Sequence, residues 1–228
     1  MEKISILLLI LPFILSAQKA DVYLDQAGQE IDYKEYRNLQ ETYTSWVRLD
    51  KKKKISQISN AKRLEPFSGD YMAIKYEIEQ ITNKTFPDNT VFIIEYRIVN
   101  DLCGGQKDPN NWTRRETMEW KKQVQPRIKH VEKNYENTVV LYLFENGISL
   151  NENIRKEKIF FLDTKNILKL ALFKFPAYCG HHAIIKPDNK ILVINGESAP
   201  GYVAQYSIPE NWKLLFPESS EKLTGDSQ

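Results

Sequence analysis

The residues from Thr90 to Val99, TVFIIEYRIV, constrain this chain more than any other stretch. They form a near-continuous apolar run rich in β-branched and aromatic side chains. A strand of that composition has to be covered on both faces, as in the middle of a sheet flanked by helices. Glu95 interrupts the run, and a carboxylate in such a setting must be paired, protonated or at the sheet's margin. Thr138 to Phe144, TVVLYLF, is a second strand of the same kind, and Ile159 to Leu162 is a shorter third.

Helical patterns alternate with these strands. Thr113, with Glu116 in the third following position, makes a capping box that opens a helix reaching Tyr135. Its buried stripe is Trp120, Val124, Ile128, Val131 and Tyr135, and Pro126 inside it predicts a kink. An earlier helix, capped by Ser68 or Asp70, carries Ile74, Ile78 and Ile81 on one face. Asp163 or Thr164 caps another, from Ile167 to Phe175. The stretch Phe173 to Glu197 ends that helix and makes a loop carrying Cys179, His181 and His182. It then runs into a hairpin of Ala183–Lys186 and Ile191–Ile194 around Pro187-Asp188-Asn189. Ala199 to Tyr206 reads as a last short helix. Strand, helix, strand, helix and antiparallel hairpin, in that order, predict an α/β sandwich with a mixed central sheet and flanking helices.

Ahead of this lies a small α+β extension. Val22 and Leu24 mark a short strand, Ala27-Gly28 a turn, and Ile31, Tyr36 and Leu39 a helical face. Trp46–Leu49 and Ile55–Ile58 read as strands bracketing Lys51 to Lys54, a block expected as a solvated turn or edge protection. At the start of the chain, Lys3, the apolar run Ile4 to Leu15 and the small pair Ser16-Ala17 predict a secretory signal cut after Ala17, with Ala20 as the alternative. The apolar run is shorter than the roughly 20 residues a spanning helix needs, and no second such run follows. The expected organisation is a signal at 1–17, the extension at 18–81, the main domain at 82–212 and a polar tail at 213–228. The product is expected to be exported, periplasmic or secreted. A net charge of +2 with both signs dispersed gives no argument for nucleic acid as a partner. The two cysteines, Cys103 and Cys179, make one disulfide the default expectation in an oxidising compartment.

The element pattern from Thr82 to Tyr206 resembles the thioredoxin fold, in particular the thioredoxin-like thiol:disulfide oxidoreductases of the bacterial cell envelope. VFIIEYRIV is similar to the family's central strand, and QPRIKHVEKNYENTVVLYLF to its first helix and next strand, kinking proline included. FFLDTKNILKLALFKF and AIIKPDNKILVINGE resemble its second helix and C-terminal hairpin. Two departures concern the chemistry. The family's Cys-x-x-Cys is replaced by Cys103-Gly104-Gly105-Gln106, and Gly180, after Cys179, stands near the place of its cis-proline. The resemblance implies that these two loops pack together, which would bring Cys103 and Cys179 within reach of each other.

Four functional expectations follow. One is thiol–disulfide exchange through Cys103 and Cys179 as catalytic residues, with envelope proteins as partners. Favoured over it is a degenerate site in which the same pair is a structural disulfide. The alternatives are a copper-binding chaperone, using His181 or His182 with the cysteines as metal ligands, and a non-catalytic protein-binding module. No Ser-His-Asp set, Walker loop or dinucleotide glycine fingerprint falls in a matching strand–helix context.

Overall fold

The computed structural model describes residues 20–50, 52–101, 103, 108–151 and 158–217. The expected signal at 1–17 and most of the expected tail, 218–228, lie outside the described residues.

The chain begins with a small unit of its own. β1 (Val22–Leu24) turns at Gly28 into α1 (Tyr33–Gln40), where the Asp32 carboxylate caps by accepting the Glu35 N–H at 2.8 Å. β2 (Tyr43–Asp50) and β3 (Lys53–Lys62) pair antiparallel, and β1 adds parallel to β3, giving the order β1-β3-β2. Tyr36 anchors α1 on this sheet, with its hydroxyl 2.5 Å from that of Ser56.

β4 (Leu64–Ser68) then leaves this unit and becomes an edge of the central sheet. Sequence reasoning missed it because Pro66 argues against a strand, and an edge is where a ladder tolerates proline. Ser68 therefore ends a strand. Asp70 is the cap of α2 (Tyr71–Thr82), accepting the Ala73 N–H at 3.0 Å. β5 (Val91–Arg97) falls within the long apolar run. β6 (Asn111–Trp112) precedes α3 (Arg114–Asn134), which has the full Thr113–Glu116 capping box and contains Pro126. β7 (Thr138–Glu145) follows, then β8 (Ser149–Leu150), which pairs with β6. β9 (Phe160–Asp163) leads into α4 (Ile167–Leu172), shorter than expected. Asp163 caps it, its carboxylate accepting the N–H groups of Ile167, Leu168 and Lys169 at 3.0–3.1 Å. The hairpin of β10 (His181–Ile185) and β11 (Lys190–Asn195) comes next. α5 (Pro200–Gln205) and α6 (Pro209–Leu215) close the described chain, α6 entering the stretch expected as tail.

The central sheet is mixed, in the order β4-β11-β10-β5-β7-β9. β5, β7 and β9 run parallel, while β10 is antiparallel to both β5 and β11. Helices cover both faces. Phe92, Ile94 and Tyr96 of β5 pack with Ala183 and Ile185 against α2 and α4, through Tyr71, Ile78, Leu168 and Leu172. On the other face Ile93, Val140, Tyr142, Ile184 and Leu192 meet Val124, Ile128 and Val131 of α3, Val203 of α5 and Trp212 of α6. No helix among the described residues is long and apolar enough to cross a membrane.

One correction bears on the site. His181 and His182 are not in a loop: they are the first residues of β10, both fully buried. The strand starts earlier than the apolar run because both imidazoles are covered, His181 by the Phe173 ring stacked at 5.2 Å and His182 on the α3 side of the sheet.

Candidate functional site

The site lies where β5 ends and β10 begins. A disulfide joins Cys103, in the loop after β5, to Cys179, in the corner before β10, with Cα atoms 4.8 Å apart. The corner is built for close approach. Cys179 and Gly180 both have left-handed backbones, with φ of 67° and 74°. A Cβ on Gly180 would collide with the Tyr96 carbonyl oxygen, so β10 can enter the sheet beside β5 only with glycine at this position. Of the loop motif Cys103-Gly104-Gly105-Gln106, only Cys103 belongs to the described residues.

Asp101 holds the two half-cystines from beneath. Its Oδ1 accepts the backbone N–H of Cys103 at 3.0 Å and that of Cys179 at 3.2 Å. One oxygen thus fixes both sides of the bridge. Oδ2 is buried without a hydrogen bond and lies 3.7 Å from Nη1 of Arg97. Burial pushes the Asp101 carboxyl above its ordinary range, against the pull of Arg97 and the two N–H groups.

From Arg97 the polar contacts continue into the sheet. Its guanidinium donates to Glu95 Oε1 at 2.8 and 3.2 Å and lies over the Trp120 ring of α3 at 4.8 Å. Glu95 and Arg97, two apart on β5, share the α3 face. Strand pairing places His182 opposite Glu95 on one side and Tyr142 on the other. Burial pushes the Glu95 carboxyl up, and His182 and Arg97 more than offset it, so the group ionises below its ordinary range. His182 Nε2 stands 3.7 Å from Glu95 Oε2, beyond hydrogen-bond distance. Neither ring nitrogen of His182 has a hydrogen-bond partner, and both are buried.

His181 points to the opposite face. Asn195 donates through Nδ2 to the Lys62 carbonyl at 2.7 Å, which leaves its Oδ1 as an acceptor 2.6 Å from His181 Nδ1. The proton of neutral His181 therefore sits on Nδ1. Burial lowers its pKa to about 3.

Of the residues singled out in the sequence, the fold brings Cys103 and Cys179 together in a bond. It separates the two histidines onto opposite faces of the sheet, a consequence of the two-residue period of a strand. Two adjacent strand residues cannot turn to one metal ion, and the thiolates that would complete such a set are joined to each other. Among the described residues no group of three or more His, Cys, Asp or Glu side chains is placed to hold a metal. Sequence reasoning missed Asp101 and Arg97. The signal available was Glu95 itself, a buried carboxylate asking for a partner, with an arginine on the same strand face. In comparisons with known proteins, no family model, no curated protein and no solved structure matches the chain.

Proposed function

We propose that this chain is an exported protein of thioredoxin-like fold whose Cys103–Cys179 disulfide is a structural staple, and that it acts by binding and not by redox exchange. The observation that carries this reading is the setting of Cys179, which is 3% exposed, with its N–H and that of Cys103 held by the same Asp101 oxygen. Exchange needs a nucleophile to reach a sulfur and the departing sulfur to leave as a thiolate. Reactive cysteines sit in electropositive, partly exposed surroundings. Here the Asp101 carboxyl is held against the backbone of both half-cystines, and in its ionised form it opposes a developing thiolate.

The fold reading is supported by the order of elements. β5 is interior to the sheet, between β10 and β7, and α3 contains Pro126 between β5 and β7. The hairpin follows α4, and the disulfide joins the two loops that the resemblance implies to be neighbours. Export is supported by the apolar run Ile4 to Leu15 and by a disulfide, which persists in oxidising compartments. Exchange through Cys103 is the second reading, favoured by the greater exposure of that residue relative to Cys179.

Native oxidised protein treated with excess reduced glutathione, with thiols counted over time, separates the two. A staple releases no thiols until urea unfolds the chain. Release from the native protein at the rate seen in urea would establish exchange instead.

A further inference from the structure

The three-stranded unit meets the central domain beside the disulfide, and the seam between them is open. The Ser45 carbonyl of β2 accepts the N–H of Tyr178, the residue before Cys179, at 2.8 Å. Around this bond lies a cleft of about 400 Å³, and a second cavity of about 290 Å³ shares Arg37, Ser45 and Tyr178 in its lining. The first volume falls within the range of small-ligand sites.

The lining has a particular chemistry. Arg37 comes from α1, and Arg63 from the link between β3 and β4. Neither guanidinium forms an ion pair among the described residues. Arg37 donates to Gln40 at 3.1 Å, and Arg63 to the Glu197 carbonyl at a long 3.5 Å. Both keep donors for a carboxylate, the partner that a planar guanidinium fits best. Glu41 and Glu197 line the same cleft, again with no ion pair among the described residues. Tyr43 and Tyr178 add amphipathic ring surface between the charges. Two cations and two anions around one cleft give no net attraction for a polyanion such as a nucleotide or a polyphosphate. They suit a molecule carrying both signs, with a backbone able to follow the extended β2 edge.

We propose that this seam binds a short peptide segment bearing both a carboxylate and an amine, its carboxylate on Arg37 and Arg63 and its amine on Glu41 and Glu197. The proposal stands on the cleft alone and holds whether or not the disulfide exchanges. The segment's source is either a free peptide or an exposed stretch of a folded protein, and the same groups serve both.

The test uses the oxidised protein and the peptide Gly-Glu-Ser-Lys-Gly with a dye on its C-terminal amide, read by fluorescence anisotropy. Saturable binding is expected, weakened at least tenfold by the double variant Arg37→Gln/Arg63→Gln and, independently, by Glu→Gln in the probe. Both arginines are exposed, so the variant is expected to keep the wild-type circular dichroism spectrum and urea midpoint. Competition by an unlabelled free peptide, against competition by the same sequence inserted in a surface loop of a carrier protein, assigns the source. No saturation, binding indifferent to the arginines, or displacement by ATP as effective as by unlabelled peptide would each overturn the proposal. Loss of glutathione resistance with peptide binding intact would instead count against the staple alone.

Discussion

Replacing both cysteines with alanine tests the staple through its thermodynamics. The bridge closes a loop with a sequence separation of 76 residues. In the chain-entropy description the unfolded state loses 2.1 + 1.5R ln n, about 15 cal/mol/K for this separation, or about 4.5 kcal/mol at 25 °C. Alanine is preferred to serine because Cys179 is buried and a hydroxyl there would need a partner. The Asp101 contacts are to backbone N–H groups and survive the change, so most of the loss should come from the unfolded state. Urea unfolding of Cys103→Ala/Cys179→Ala beside the oxidised wild type should show the difference. With a slope of about 2–3 kcal/mol/M the midpoint should fall by about 1.5–2.3 M. Wild-type protein reduced before unfolding should behave like the variant. A loss below about 1 kcal/mol would refute the reasoning, because the bond would then do little to restrict the unfolded chain.

Three further outcomes follow from the same geometry. Asp101→Ala leaves two N–H groups without their acceptor and should cost about 1–3 kcal/mol, whereas Asp101→Asn keeps an acceptor and should cost at least 1 kcal/mol less in the same urea titration. Gly180→Ala combines a left-handed φ with a collision against the Tyr96 carbonyl and should destabilise by about 3 kcal/mol or more, read from the thermal or urea midpoint. His181, whose folded pKa of about 3 lies below its unfolded value, contributes stability that is fully present above about pH 6.5 and is lost as pH falls toward 3. Its contribution to the slope grows below pH 6.5 and approaches about 1.4 kcal/mol per pH unit between about pH 5.5 and 4, and it should be absent in His181→Phe; an unchanged slope in that variant would contradict the buried neutral assignment.

Much of the central sheet could be read from the chain because its strands are buried on both faces and so carry unbroken apolar runs. β5 and β7 are of this kind, and the Thr113–Glu116 capping box marked the start of α3 unambiguously. β4 was hidden because an edge strand has only one neighbour, needs less apolar surface and accepts Pro66. The histidines were assigned to a loop because polar residues beside Gly180 look like turn chemistry, and only Phe173, Asn195 and Glu95, distant in sequence, show how a strand covers them. The cysteine pairing followed from an even count and from the resemblance. The Asp101 bracket beneath it depends on where one carboxylate oxygen points, which no local pattern records. The cleft at the seam has the same character, since Arg37, Arg63 and Tyr178 meet only once β4 has carried the chain into the central sheet.

The reduction potential of Cys103–Cys179, measured by equilibrating native protein in dithiothreitol redox buffers and trapping free thiols, tests the central claim most directly. A buried staple closing a long loop should lie below about −300 mV, out of reach of a glutathione pool. A potential near −200 mV or above, in the range of disulfide-exchange proteins, would contradict it and make Cys103 the attacking thiol of a working redox site.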